Sequence, residues 1–247
     1  MSIKTEVAII ISDTHTPFED KGAVSCSLDF IRDIQPSWVV YNGDIGDWYA
    51  ASRHRRDPAR KLQLQDEIDA QTTLLWKYRE VAPNANFVYN LGNHEDRWNN
   101  FLIDNPEFKG LRCLDFEKLL GLDEIGFSFV NQYGEPWKLG DAIIIHGYRA
   151  LKNSGYTAHG YIEEWGVSGV SGHTHRSAKV RTRFYDKEVT WVEGGCLCEL
   201  DPEYGDGLAD WAHGFSLMEV YKGKSSIEAL SINNGRLIYG GKVYGKV

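Results

Sequence analysis

LGNHEDRW, residues 91–98, is the stretch on which the reading of this chain turns. It begins one residue after the apolar run Phe87-Val88-Tyr89. Gly92 makes a turn, and Asn93, His94, Glu95, Asp96 and Arg97 then place five polar groups in five positions. A helix N-terminus would account for part of this, with Asn93 as cap and Glu95 and Asp96 at the positive end of the helix dipole. A reactive site at the tip of a buried strand would account for all of it. The rest of the chain decides between the two.

Working outward, the same punctuation recurs. Val7-Ala8-Ile9-Ile10-Ile11 reads as a strand buried on both faces and runs into SDTHTPFED. A helix is expected from about Ala23 to Ile34, stopping before Pro36. Trp38-Val39-Val40-Tyr41 is a second buried strand, ending at NGDIGDW. Residues 64–81 place Leu64, Ile68, Leu74, Leu75 and Tyr78 roughly on one side, as a helix would. Strand, helix, strand, helix, strand predicts right-handed crossovers and a parallel sheet.

Further on, Ala142–Ile145 ends at His146-Gly147, and Val167–Val170 ends at SGHTH. Strands at about 178–185, 188–193, 215–221 and 226–232, closing near 236–239, suggest a second sheet. Two sheets packed face to face with helices outside is the simplest assembly.

Five strands thus end in polar clusters: Asp13-Thr14-His15, Gly43-Asp44 with Asp47, Gly92-Asn93-His94, His146-Gly147 and Gly172-His173-Thr174-His175. Sites in α/β sheets gather at the carboxyl ends of strands, so the clusters are expected to meet at one edge. They bring three carboxylates, five of the chain's eight imidazoles and one amide, with no thiol. That donor set suits divalent ions that take nitrogen and oxygen ligands. Two such ions can share one carboxylate. A lone histidine is more often structural, but five clusters together are poorly explained that way.

In that order, DTH, GDIGD, GNHE, HG and GHTH resemble the calcineurin-like metallophosphoesterases, over about residues 11–176. The resemblance implies an α/β fold, a four-layer sandwich of two mixed β-sheets flanked by helices. It implies two divalent metal ions, Mn²⁺ first, with Fe or Zn²⁺ as alternatives. Asp13, His15, Asp44 and His175 would hold one ion. Asp44, Asn93, His146 and His173 would hold the other, with Asp44 shared. His94 matches the acid that protonates the leaving group, and Asp47 the carboxylate that orients it. The nucleophile would be a metal-bridging hydroxide, since two cations lower the pKa of a water between them.

The pattern also departs from the family. The protein-phosphatase branch follows GDxxD with a phosphate-gripping arginine, and here Trp48 stands in its place. That weakens a protein-phosphatase reading. Trp48 either stacks on a flat group such as a nucleobase or packs against the next helix. Arg97 either touches substrate phosphate or pairs with a nearby carboxylate. SRHRRDPARK, residues 52–61, is the one dense basic segment, carrying Arg53, Arg55, Arg56, Arg60 and Lys61. It is either a grip for a polyanion or a solvated loop.

Bulk properties set the outer bounds. The chain has 247 residues, 42% hydrophobic and 25% charged, with a net charge of −8. Such a surface does not coat nucleic acid by electrostatics alone, though bound cations can dominate a local field. The expectation is a single domain over 1–247, with cap or insert loops near 48–65 and 97–135. Cys26, Cys113, Cys196 and Cys198 lack a structural zinc spacing and suggest reduced thiols in the cytoplasm. No apolar run is long enough for a membrane span. The expected partner is a phosphate ester, a nucleic acid or nucleotide among them. A diester or nucleic acid is favoured over a monoester, the alternative being nucleotides, small phosphate esters or phosphoproteins. Nothing in the sequence fixes an oligomeric state.

Overall fold

The computed structural model describes residues 5–53, 63–201 and 210–245. Strand β1 (Glu6–Ile11) is buried from Ala8 onward. Ile9 and Ile11 face one core, whereas Ala8 and Ile10 face another. Successive side chains on a strand point to opposite faces, so a strand covered on both sides must be apolar throughout. Strands β2 (Trp38–Asn42) and β3 (Asn86–Asn90) repeat the division, with Val39, Tyr41, Phe87 and Tyr89 in the first core and Val40 and Val88 in the second.

The first core is closed by α1 (Lys21–Ile34) and α2 (Leu64–Val81). Asp20 caps α1 by accepting from the Ala23 amide at 2.7 Å. Gln35 then leaves the helix in the left-handed region, at φ 48°, just before Pro36. Helix α2 presents Ile68, Leu74, Leu75 and Tyr78 inward. After β3 come α3 (Asp96–Asp104), the one-turn helices α4 (Phe116–Leu119) and α5 (Leu122–Ile125), and β4 (Phe127–Asn131). The segment 97–135 is therefore mostly short helices that end in a strand of the main sheet.

The remaining elements are β5 (Trp137–Leu139), β6 (Ala142–Ile145), α6 (Tyr156–Trp165), β7 (Ser168–Ser171), β8 (Ser177–Phe184), β9 (Lys187–Gly194), β10 (Gly214–Tyr221), β11 (Lys224–Ser231), β12 (Leu237–Tyr239) and β13 (Lys242–Tyr244). One sheet runs β11-β10-β1-β2-β3-β4 and the other β5-β6-β7-β9-β8. Both are mixed: β1 through β4 pair in parallel, and β10 joins β1 antiparallel. The second core lies between the sheets. A third, around Tyr161, Ile162 and Trp191, lies under α6. Helices, sheet, sheet and helix make the four expected layers.

Two expectations need correction. Strands β10 and β11 do not extend the second sheet but return to the edge of the first. Phe215 and Leu217 enter the helix-covered core there, while Met218 and Val220 enter the core between the sheets. Helix α6 is also absent from the sequence reading. Its apolar face is short, and Gly160 interrupts it; it is held between Gly155 and Gly166, which both take positive φ.

Candidate metal centre

Each polar cluster follows the carboxyl end of its strand. Asp13 and His15 follow β1, Asp44 and Asp47 follow β2, and Asn93 and His94 follow β3. His146 follows β6 in the opposite sheet, and His173 and His175 follow β7. The β1–β2 pairing continues past the strands, with Asp13, His15 and Thr16 amides donating to Gly43, Asp44 and Ile45 carbonyls. The chain pays for this turn in conformation: Asp13, His15, Asp44, His173 and His175 all have φ between 49° and 68°. Such strain, ~1–3 kcal/mol per residue, survives only where surroundings enforce it, and it concentrates at functional sites. Glycines permit the crowding. A Cβ on Gly43 would lie 2.4 Å from His146 Nδ1, and one on Gly92 would lie 2.2 Å from Asp44 Oδ1.

The side chains converge in two groups around Asp44. In one, His175 Nε2 lies 3.2 Å from Asp13 Oδ1 and 3.0 Å from His15 Nε2. His15 Nε2 in turn lies 3.9 Å from Asp44 Oδ2. In the other, His146 Nε2 lies 3.3 Å from Asp44 Oδ2 and 3.1 Å from Asn93 Oδ1. Asn93 Oδ1 also lies 2.8 Å from His173 Nδ1. Asp13, His15, Asp44, His146 and His175 are buried, whereas Asn93, His94 and His173 form the open lip.

These atoms fit a pair of cations. His146 Nδ1 sits 2.8 Å from the Asn42 carbonyl and donates to it, which leaves Nε2 as a lone-pair donor toward Asp44. His15 Nε2 and His175 Nε2, 3.0 Å apart, share one proton in a hydrogen bond here and would both turn a lone pair to a cation placed between them. Burial opposes a charge on His146, yet the Asp44 carboxylate beside it raises its pKa to about 10. The Asp13 carboxylate does the same for His175, against the same burial, also to about 10. A field that holds protons this firmly also holds metal ions.

Buried groups outside the clusters hold the loops. Glu95 is fully buried and accepts from the amides of Asp44, Ile45, Gly46 and Gly92 and from the Tyr89 hydroxyl. It thereby stitches the GNHE turn to the GDIGD turn. Glu193, equally buried, accepts from the Gly155 and Ala158 amides and from Thr174 Oγ1, between His173 and His175. Asn90 Nδ2 donates to Asn42 Oδ1, and Asn42 Nδ2 donates to the Ile145 carbonyl, which joins the two sheets under the site. Sequence reading missed Glu193, Asn42 and Asn90. For Asn42 and Asn90 the usable signal was an amide at the last position of a largely apolar strand.

At the lip, His94 Nδ1 lies 2.8 Å from the Asp47 carbonyl oxygen and 3.2 Å from Asp47 Oδ1. Its Nε2 is 3.8 Å from Asp44 Oδ2. Asp47 Oδ1 also lies 3.3 Å from His15 Nδ1, so one carboxylate orients both rings. Of the two expected roles of Arg97, pairing with a carboxylate is not seen among the described residues. Arg97 donates to the Asp47 carbonyl at 2.8 Å and to His94 Nε2 at 2.9 Å, so its guanidinium bridges the two residues.

Trp48 requires a correction. It is 1% exposed, with its ring 6.0 Å from Trp98 and 5.6 Å from Phe116. A ring packed in that aromatic cluster offers no face to a base. Trp211 is the indole beside the centre, edge-on to His175 at 4.2 Å. Arg53 is at the surface, paired with Asp104. Arg55, Arg56, Arg60 and Lys61 of the basic segment lie outside the described residues. His213 bonds the Cys198 carbonyl and stands apart from both groups.

Comparison with known proteins gives the family. The profile of the calcineurin-like phosphoesterases matches residues 7–177. The Gene 54 protein of Mycobacterium phage D29 is 30% identical, with 96% of this chain and 97% of that protein aligned. Its counterpart in Mycobacterium phage L5 is 28% identical over the same shares. Among solved structures, a purple acid phosphatase from yellow lupin seeds aligns at 14% identity and a TM-score of 0.49, over 96% of this chain and 53% of that one. The family profile covers every strand end that carries the Asp, Asn and His residues described above, and the chain belongs to the calcineurin-like phosphoesterase family.

Proposed function

We propose that this chain is a cytoplasmic phosphodiesterase that uses two divalent ions, with Mn²⁺ the favoured metal. Asp13, His15, Asp44 and His175 hold one ion, and Asp44, Asn93, His146 and His173 hold the other. Bound there, the ions polarise the phosphoryl oxygens and supply a nucleophilic water at neutral pH. Asp44 keeps both halves of the site in register from between the sheets. Asn93 contributes an oxygen without adding negative charge, so the centre stays net positive toward phosphate. His94 donates a proton to the leaving oxygen from Nε2, which requires the imidazolium and the displacement of Arg97, the donor that Nε2 meets at 2.9 Å in the free site. Asp47 fixes the ring by engaging Nδ1, and Arg97 completes the positive rim.

The observation that carries this reading is the sharing of Asp44 between two groups of nitrogen and oxygen donors, with His94 at the open side. The preference for a diester rests on Trp48, which fills the place where phosphatases of the family keep an arginine. A dianionic monoester calls for more cationic contacts than a monoanionic diester. The nitrogen and oxygen donors of the two groups favour Mn²⁺ and leave Fe and Zn²⁺ compatible, and the Cys198 thiol lies on the other nitrogen of His175, 3.7 Å from Nδ1. The four cysteines are free, which suits a reducing compartment. Among the described residues, no helix is long and apolar enough to cross a membrane.

The test is a side-by-side assay of Mn²⁺-loaded protein on p-nitrophenyl phosphate, bis-p-nitrophenyl phosphate and single-stranded DNA. Diester hydrolysis exceeding monoester hydrolysis is expected. A clear preference for p-nitrophenyl phosphate would replace this reading with a phosphomonoesterase.

A further inference from the structure

A polar cleft of about 310 Å³ opens beside the centre, between residues 51–53 and α3. Asn93 and Arg97 form its inner end, and Arg53 and Asn100 line it further out. Its position has a chemical consequence. In-line displacement puts the nucleophile and the leaving oxygen on opposite sides of phosphorus. His94 marks the leaving side, and Arg97 touches His94 Nε2 at the cleft's inner end.

The lining is suited to an anion. Arg97 presents a guanidinium there, while the Asn100 amide is held by the Asp96 carbonyl and carboxylate. Asp96 also lines the cleft, but its carboxylate accepts from the side-chain amides of Asn99 and Asn100. Arg53 holds Asp104 in a two-pronged fork, Nε to Oδ2 and Nη2 to Oδ1, both at 2.6 Å. That is the geometry in which a guanidinium takes a phosphate. The pair is half exposed, at 59% for Arg53 and 49% for Asp104, so a competing phosphate can exchange with it at small cost.

We propose that this cleft is a leaving-group subsite that selects diesters whose leaving group carries a further phosphate, as a nucleotide does. The inference rests on the phosphodiesterase reading and narrows its substrate class. Arg97 receives the near side of the leaving group. Arg53 takes the second phosphate by exchanging Asp104 for it, so Asp104 acts as a built-in competitor.

The competitor makes a two-directional test. Thymidylyl-thymidine is compared with the same dinucleotide bearing a 5′-terminal or a 3′-terminal phosphate, using Mn²⁺-loaded protein. One phosphorylated form should have a kcat/KM roughly three- to fivefold above the unphosphorylated dinucleotide, the scale of a half-exposed ion pair. That ratio should fall toward one in Arg53→Ala and rise in Asp104→Asn, and salt should compress it. Because the two variants move the ratio in opposite directions, a general loss of folding cannot imitate the result. Equal efficiency on all three dinucleotides, or a ratio unmoved in both variants, overturns the subsite. So does cleavage of bis-p-nitrophenyl phosphate with no dinucleotide cleaved. Failure on bis-p-nitrophenyl phosphate as well removes the phosphodiesterase reading beneath it.

Discussion

At the scale of single residues, the crowding in LGNHEDRW resolves into separate tasks. Asn93 and His94 face the opening, Arg97 donates to His94 Nε2, and Glu95 turns inward to bind four amides and a hydroxyl. His94 is outside both proposed ligand sets, so His94→Ala should retain two ions per chain. Turnover should drop roughly 10²–10⁴-fold, the range for a general acid. The loss should be smaller for esters that release p-nitrophenolate, which needs no proton. Metal analysis beside the kinetics checks this, and one ion per chain would reassign His94 as a ligand. Trp48→Ala should instead act through stability. Emptying an indole site packed against Trp98 and Phe116 costs about 3–5 kcal/mol. Thermal denaturation should show that cost, while oligonucleotide and small-ester activities should decline together in the folded fraction. A loss confined to the oligonucleotide would return Trp48 to a stacking role.

At the scale of elements, α2 is tied to the loop after β2 through Glu67, which is 3% exposed and accepts from the Tyr49 and Ala50 amides. Burial pushes this carboxyl up to about 7 from its usual 4.5. A raised carboxyl binds its proton more tightly folded than unfolded. Its contribution to stability is therefore complete below pH 4.5 and is lost as pH rises toward 7. Glu67→Gln should gain on the wild type across that window, by at most about 3 kcal/mol. Chemical denaturation of metal-free protein at several pH values measures the difference, and a constant difference would show that Glu67 ionises normally. The legible parts of the fold follow from burial. β1, β2 and β3 are covered on both faces and carry unbroken apolar runs, and α2 keeps a stripe at helical spacing. The sequence reading placed β10 and β11 in the wrong sheet because strand pairing joins residues far apart: Ile9 pairs with Leu217. It passed over β5 because three residues carry no periodicity. The polar clusters could be read because metal-type donors recur at strand ends. Glu193 could not, since one buried carboxylate has no repeating pattern to mark it.

At the scale of the whole molecule, the site exists because two sheets packed face to face bring their strand ends together at one edge of the sandwich. The first contributes Asp13, His15, Asp44, Asn93 and His94; the second contributes His146, His173 and His175. Asn42 and Asn90 lock the register between them. The Asp13 and Asp44 carboxylates and the buried imidazoles of His15, His146 and His175 would repel or pull in protons if left alone, so bound cations should also stabilise the folded chain in proportion to their affinity. The most direct test is the activity of chelator-treated protein on bis-p-nitrophenyl phosphate as Mn²⁺ is added back, with bound metal counted at each step. Activity should be absent without metal and return as occupancy approaches two ions per chain, and Asp44→Asn should lower occupancy and rate together. Full activity with no metal bound would contradict the account.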